Sequence, residues 1–286
     1  VTQTERECTD HFYAVVVANK IVQGAEGEEL RKWLEGADRE IKTLLERKVL
    51  QLVPISQLDS LEKGSFELIP SLCVWSLKGD GTHKARLVAC GNYQSINFND
   101  PSSGTYAGTT SLSSWRSILA IFLQIKGSVC CLDVREAFTQ SDPDQSPNSK
   151  RTYLRLPSQW KTRLLPHLLF AKGVNHETFS QYVLEVIKSI YGERSAPRKW
   201  KETFGKKLRA LGFSESMYEE GLFFRVSSNG CLSIVSTYVD DVWIFSMSDE
   251  ELTDLVVSIS SVVECTPADI LCGPPRWMHE TPEDQL

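Results

Sequence analysis

No apolar run in this sequence approaches the ~20 residues that a membrane-crossing helix needs. The apolar stretch at 12–18 is short and follows no basic region, which speaks against a signal peptide. No Cys-x-x-Cys occurs among the eight cysteines, at 8, 73, 90, 130, 131, 231, 265 and 272, and no His lies at zinc-finger spacing from a Cys pair. That argues against structural zinc and leaves the cysteines as small buried hydrophobes of a reducing compartment. Positive charge is not in excess either. The formal net charge of −6 argues against a protein that binds nucleic acid over its whole surface. Internal repeats and low-complexity tracts are missing. What is present, 286 residues with 41% hydrophobic and 24% charged content, suits a globular protein of one large or two modest domains. The first residue is Val1 rather than Met, which suggests a fragment or a piece of a longer polyprotein.

Charge is unevenly spread. Lys188, Arg194, Arg198, Lys199, Lys201, Lys206, Lys207 and Arg209 face only Glu193 and Glu202 within 188–209, eight against two. A second basic cluster is Lys150, Arg151, Arg155, Lys161 and Arg163. Either suits a phosphate-facing surface or an ordinary solvated helix face.

Periodicity divides the chain into elements. Leu30, Trp33, Leu34, Ala37, Ile41, Leu44 and Leu45 recur at helical spacing over 28–48. Residues 49–77 read as strands broken by Pro54 and Pro70, 78–82 as a turn, and 84–90 as another strand. After a loop at 95–110, Trp115, Ile118, Leu119, Phe122 and Leu123 form a helix stripe behind cap candidates Ser111 and Ser113, ended by Gly127. Strand 128–134, a polar loop 141–150 and a short strand from Tyr153 to Leu156 follow. Residues 181–191 look like a strand passing into helix. A helix opening at Ala196-Pro197 carries Trp200, Phe204, Leu208 and Leu211 up to Gly212. Asn229-Gly230 joins two strands as a hairpin. One more helix spans 249–263, and 264–286 shows no periodicity. Strands in mixed order with helices between them describe an α+β layer fold.

One stretch contradicts its own surroundings. In residues 236–245, Asp240 and Asp241 interrupt a run of β-branched and aromatic residues, and Asp is depleted from strands. The pair therefore belongs at a tight turn between two strands. Asp133 likewise breaks a short apolar strand. Three carboxylates at strand ends suit a site for divalent metal, though each alone is equally an Asp in a turn.

Taken together, four motifs in order resemble the reverse transcriptases of copia-type LTR retrotransposons, from about residue 28 to about 246. They are Lys84-Ala85-Arg86-Leu87-Val88-Ala89, Leu132-Asp133-Val134 with Ala137-Phe138, Tyr191-Gly192 with Ala196-Pro197-Arg198 and Trp200, and Tyr238-Val239-Asp240-Asp241. Leu211-Gly212-Phe213 matches the close of the helix between the last two. The family's Leu-Lys-Gln is Glu193-Arg194-Ser195 here, and Cys90 replaces a basic residue.

The resemblance implies a right-hand polymerase fold, with fingers, an antiparallel palm sheet packed on helices, and the thumb largely missing. The expected boundaries are an N-terminal extension 1–27, fingers 28–93, palm 94–248 and a partial thumb-side or linker segment 249–286. It implies RNA-directed DNA polymerisation, in which a primer 3′-hydroxyl attacks the α-phosphate of a dNTP. Two Mg²⁺, for which Mn²⁺ can substitute, would be held by Asp133, Val134, Asp240 and Asp241, with the three Asp residues catalytic. Lys84, Arg86, Phe138, Tyr191 and Gly192 would bind the nucleotide. Phe138 would exclude a ribose 2′-hydroxyl. Arg194, Arg198, Lys199 and Tyr238 would hold template and primer. Glu136 receives no role, and Trp200 reads as helix core. The partners implied are a primed RNA or DNA template, dNTPs and the remainder of a Pol polyprotein, without a membrane. The place implied is intracellular, in cytoplasmic particles or the nucleus. No ribonuclease H, integrase or protease segment is recognisable. Two other readings remain open: a non-catalytic remnant that binds nucleic acid or a protein, and a different palm-type nucleotidyl transferase working without template.

Overall fold

The computed structural model describes residues 14–95, 105–143, 150–157, 178–266 and 269–271. They form a mixed α+β fold in two compact units, each made of two separate stretches of chain. The first is Val1–Gly104 with Pro143–Ala196, and the second is Thr105–Asp142 with Pro197–Leu286.

The first unit holds strands β1 (Ala14–Val17), β2 (Leu50–Pro54), β3 (Phe66–Lys78), β4 (His83–Ala89), β6 (Arg151–Arg155) and β7 (Tyr182–Val186). It also holds helices α1 (Asn19–Gly24) and α2 (Gly27–Glu46). Its sheet runs β1-β3-β6-β7-β2, with β4 also on β3. The stripe read from the sequence is the buried face of α2: Trp33, Ala37, Ile41 and Leu44 join Trp75, Leu87, Leu154 and Leu184 in one core. Gly36 lets the helix approach β4 closely, since a Cβ there would stand 2.6 Å from the His83 carbonyl oxygen.

Two expectations fail in this unit. Pro70 does not break a strand but lies inside β3, which pairs in parallel with β6 through Phe66–Pro70 and antiparallel with β4 from Ser71 onward. A residue without an N–H is tolerated where the strand changes partners. Residues 187–191 do not turn helical; they bend, and helix begins only at Ala196. Two consecutive main-chain amides, of Ile187 and Lys188, donate to the Val49 carbonyl instead of to a helical ladder.

The second unit is a sheet between helix layers. Its strands are β5 (Ser128–Asp133), β8 (Ser214–Glu215), β9 (Leu222–Val226), β10 (Leu232–Tyr238), β11 (Asp241–Ser246) and β12 (Asp269–Leu271), in the order β12-β5-β11-β10-β9-β8. Val242 and Ile244 pack toward α4 (Ala196–Ala210) and α5 (Asp249–Val262). Trp243 and Phe245 pack toward α3 (Leu112–Gln124) on the opposite face. Both faces being covered, β11 reads as a continuous apolar run instead of an alternation. Ser111 caps α3 by accepting from the Ser114 amide at 3.2 Å, as its position suggested. Lys126 (φ +55°), not Gly127, takes the left-handed position after that helix. Strand β12 falls where no periodicity was visible. Among the described cysteines, Cys73 and Cys130 are buried, whereas Cys90, Cys131, Cys231 and Cys265 are only half-buried, so the expectation of general burial was too strong.

Candidate active site

The hairpin β10–β11 places the Asp pair at its tip, with Val239 and Asp240 in the turn and Tyr238 opposite Asp241. Strand β5 lies on the other side of β11 and sets Asp133 directly across from Asp241. The Val134 amide donates to the Asp240 carbonyl at 2.8 Å, tying the turn to the end of β5. All three Asp residues thus gather at one end of one sheet. Among the described residues, no donor is hydrogen-bonded to any of their carboxylates. Partial burial, then the charges of Asp240 and Asp133, push the Asp241 carboxyl above its ordinary range.

The tip is buttressed by contacts that the motifs did not reveal. Trp200 was read as helix core, and it is buried; its indole also donates to the Val239 carbonyl at 2.7 Å. The segment after α5 closes along β5. Thr266 donates its amide to the Asp133 carbonyl at 2.9 Å, and Cys265 bridges Val134. Burial and the Asp133 charge push the Cys265 thiol up to about 11, so it stays a neutral wall of the site. Nothing in the local sequence marks Cys265 or Thr266, because their role depends on a contact with a strand more than a hundred residues earlier. Phe138 follows Asp133 in a short 3-10 turn and is half-buried against the same core. Tyr238 is exposed.

The cationic candidates of the first unit form a second group. Burial alternates along β4, so Lys84 and Arg86 share its more open face. The Arg86 guanidinium lies 4.3 Å over the Tyr191 ring. Tyr191 in turn accepts the Ala89 amide through its carbonyl at 2.8 Å. Gly192 is required here: its φ is +88°, and a Cβ would stand 2.1 Å from the Ala89 carbonyl oxygen. Arg194 is turned to main-chain carbonyls, its Nε donating to Gly91 at 2.6 Å and Nη2 to Asn92 at 3.2 Å.

The basic helix α4 is less naked than its sequence. Arg198 pairs with Glu202, Lys201 with Glu220 and Arg209 with Glu215, while Lys207 donates to the Val262 carbonyl. Two of those acids lie outside the stretch in which the charges were counted. Lys199 also has an interaction partner. Lys161 and Arg163 of the second basic cluster lie outside the described residues. Among the described residues no three His, Cys, Asp or Glu side chains stand as a ready-made metal cage, and no helix is long and apolar enough to cross a membrane.

The chain is 25% identical over 223 residues to a Retrovirus-related Pol polyprotein from transposon TNT 1-94 of Nicotiana tabacum, covering 72% of this chain and 15% of that one. It is 27% identical over 220 residues to the Transposon Ty1-BL Gag-Pol polyprotein of Saccharomyces cerevisiae, covering 77% of this chain and 11% of that one. It therefore spans a small part of the length of these relatives. A solved apo telomerase from Candida tropicalis is similar over 84% of this chain and 55% of that chain, with 9% identity and a TM-score of 0.42. A model of the family described as Reverse transcriptase (RNA-dependent DNA polymerase) matches residues 62–265, well over half of the sequence. The chain belongs to the reverse transcriptase family.

Proposed function

We propose that this chain is the polymerase core of a copia-like Pol polyprotein and extends a primer with dNTPs on an RNA template. The observation that carries this reading is the register of Asp241 opposite Asp133, with Asp240 adjacent in the turn. Three carboxylates at one sheet end without a hydrogen-bond donor repel one another, and partial burial followed by the Asp240 and Asp133 charges raises the Asp241 carboxyl. Hard divalent cations relieve such repulsion, and oxygen donors are what Mg²⁺ takes. In this reading two Mg²⁺ ions, or Mn²⁺, would be held by Asp133, Asp240, Asp241 and the Val134 main chain, all of them oxygen donors. When bound, such ions activate the attacking oxygen and neutralise charge on the leaving group.

The rest of the work falls to this chain's side chains. Lys84 and Arg86, on one face of β4, supply positive charge for the triphosphate, with Tyr191 holding the Arg86 guanidinium flat. Gly192 allows close main-chain approach beneath the nascent base pair. Phe138, fixed by its core contacts, excludes a 2′-hydroxyl from the sugar position. Arg198, Lys199 and Tyr238 face template and primer. Arg194 joins them only if it leaves its two carbonyl partners. In this reading the first unit contains the fingers, the second the catalytic part of the palm, and α5 with the residues after it begins the thumb side. The site of action would be cytoplasmic particles or the nucleus.

One observation favours the non-catalytic remnant: several basic side chains of α4 are already paired within the chain. Incorporation of dTTP on oligo-dT-primed poly-rA with Mg²⁺ or Mn²⁺ decides between the two. Incorporation by the wild type and not by a folded Asp240→Asn variant is the expected result. Equal background signal from both folded proteins overturns the polymerase reading in favour of the remnant.

A further inference from the structure

Val239 is the only β-branched residue with positive φ among the described residues, at +56°. In that conformation the side chain crowds its own backbone, and a β-branched residue there is an outlier. Such a conformation persists only where its surroundings over-determine it. Here the surroundings are explicit. The Trp200 indole N–H donates to the Val239 carbonyl at 2.7 Å. The ring is only 3% exposed and stacks on Phe204 with centroids 5.1 Å apart and planes 10° apart. On the other side of the turn, the Val134 amide holds the Asp240 carbonyl. A cavity of about 50 Å³, lined in part by Trp200, Phe204, Phe223, Thr237 and Val239, leaves space into which the turn can relax.

We propose that Trp200 is a positioning residue, whose indole N–H clamps the strained Val239 turn and so fixes the register of Asp240 and Asp241 against Asp133. The consequence for activity rests on the polymerase reading; the clamp itself rests on geometry alone. A neutral hydrogen bond of this kind is worth a factor of roughly two to ten. The experiment reads it in two ways, by amide exchange at Val134 and by steady-state dTTP incorporation.

Trp200→Phe keeps the stacked ring and removes the donor. We expect Val134 to exchange about fivefold faster in it, and kcat to fall by a similar factor with the KM for dTTP unchanged. In a Val239→Gly background, where positive φ is free, removing the donor changes both quantities less than about twofold. Phe204→Leu weakens the stacking but leaves the N–H in place, and Val134 exchange stays near wild type. Unchanged exchange in folded Trp200→Phe, equal losses in both backgrounds, or acceleration in Phe204→Leu would each overturn the clamp and leave Trp200 as core alone. Should Trp200→Phe fail to fold, the Phe204→Leu comparison still decides. A wild type without incorporation sinks the polymerase reading, while the exchange data judge the clamp independently.

Discussion

Asp133 and Asp241 face each other across β5 and β11, a cross-strand pair of like charges at the mouth of a sheet. Opposed like charges destabilise a sheet, so the pairing is a feature the fold tolerates at a local cost. Asp240 beside them adds to it.

Partial burial of Asp241 adds to that cost and is the larger cause of its raised carboxyl. The raised Asp241 carboxyl prefers its neutral form in the folded state, so this group weakens folding as pH rises through the ordinary carboxylate range into its raised one. Below that window the effect vanishes. Without metal, Asp241→Asn is expected to be more stable than wild type near neutral pH by about 0.5 kcal/mol or less after solvent screening, with no difference in acid. Thermal melts across pH check this. The same variant should lose polymerisation on the order of 10²–10³-fold.

Glu29 gives a pH dependence of opposite sign. The His83 hydrogen bond, at 2.8 Å, is the main cause that holds its carboxyl below the ordinary range. Its contribution to stability is present above that range and is lost as pH falls through the depressed value. Glu29→Gln should lower the melting temperature slightly at neutral pH and leave the acid end nearly unchanged, which flattens the acid limb of the curve.

Two glycines with positive φ should respond differently to alanine. At Gly230 (φ +80°) there is open space, so only the backbone conformation resists, by about 1 kcal/mol. At Gly192 the new Cβ also meets the Ala89 carbonyl, and the loss should exceed about 3 kcal/mol. Denaturant midpoints of the two variants compare them directly.

Tyr191 should matter through its ring. Tyr191→Phe keeps the face beneath the Arg86 guanidinium, whereas Tyr191→Leu removes a contact worth about 0.5–2 kcal/mol. A rise in the KM for dTTP of roughly three- to tenfold is expected in the leucine variant alone.

Much was legible in the sequence because the forces concerned are local. The α2 and α4 stripes, the Ser111 cap, the Asn229-Gly230 hairpin and the Asp pair at a turn all follow from side-chain periodicity and turn chemistry within a few residues. The motifs alone also identified the family to which the chain belongs. Tertiary structure decided the rest. That Asp133 meets Asp241 in register is a pairing across more than a hundred residues, set by which apolar faces fit together. The passage of β3 from one partner to another at Pro70, the edge strand β12 and the division into units of two stretches each are of the same kind. So are the acids that neutralise α4 and the indole that holds Val239, since a donor and its acceptor need share no local pattern. The residue types of the site are written in the sequence, and their geometry comes from long-range packing.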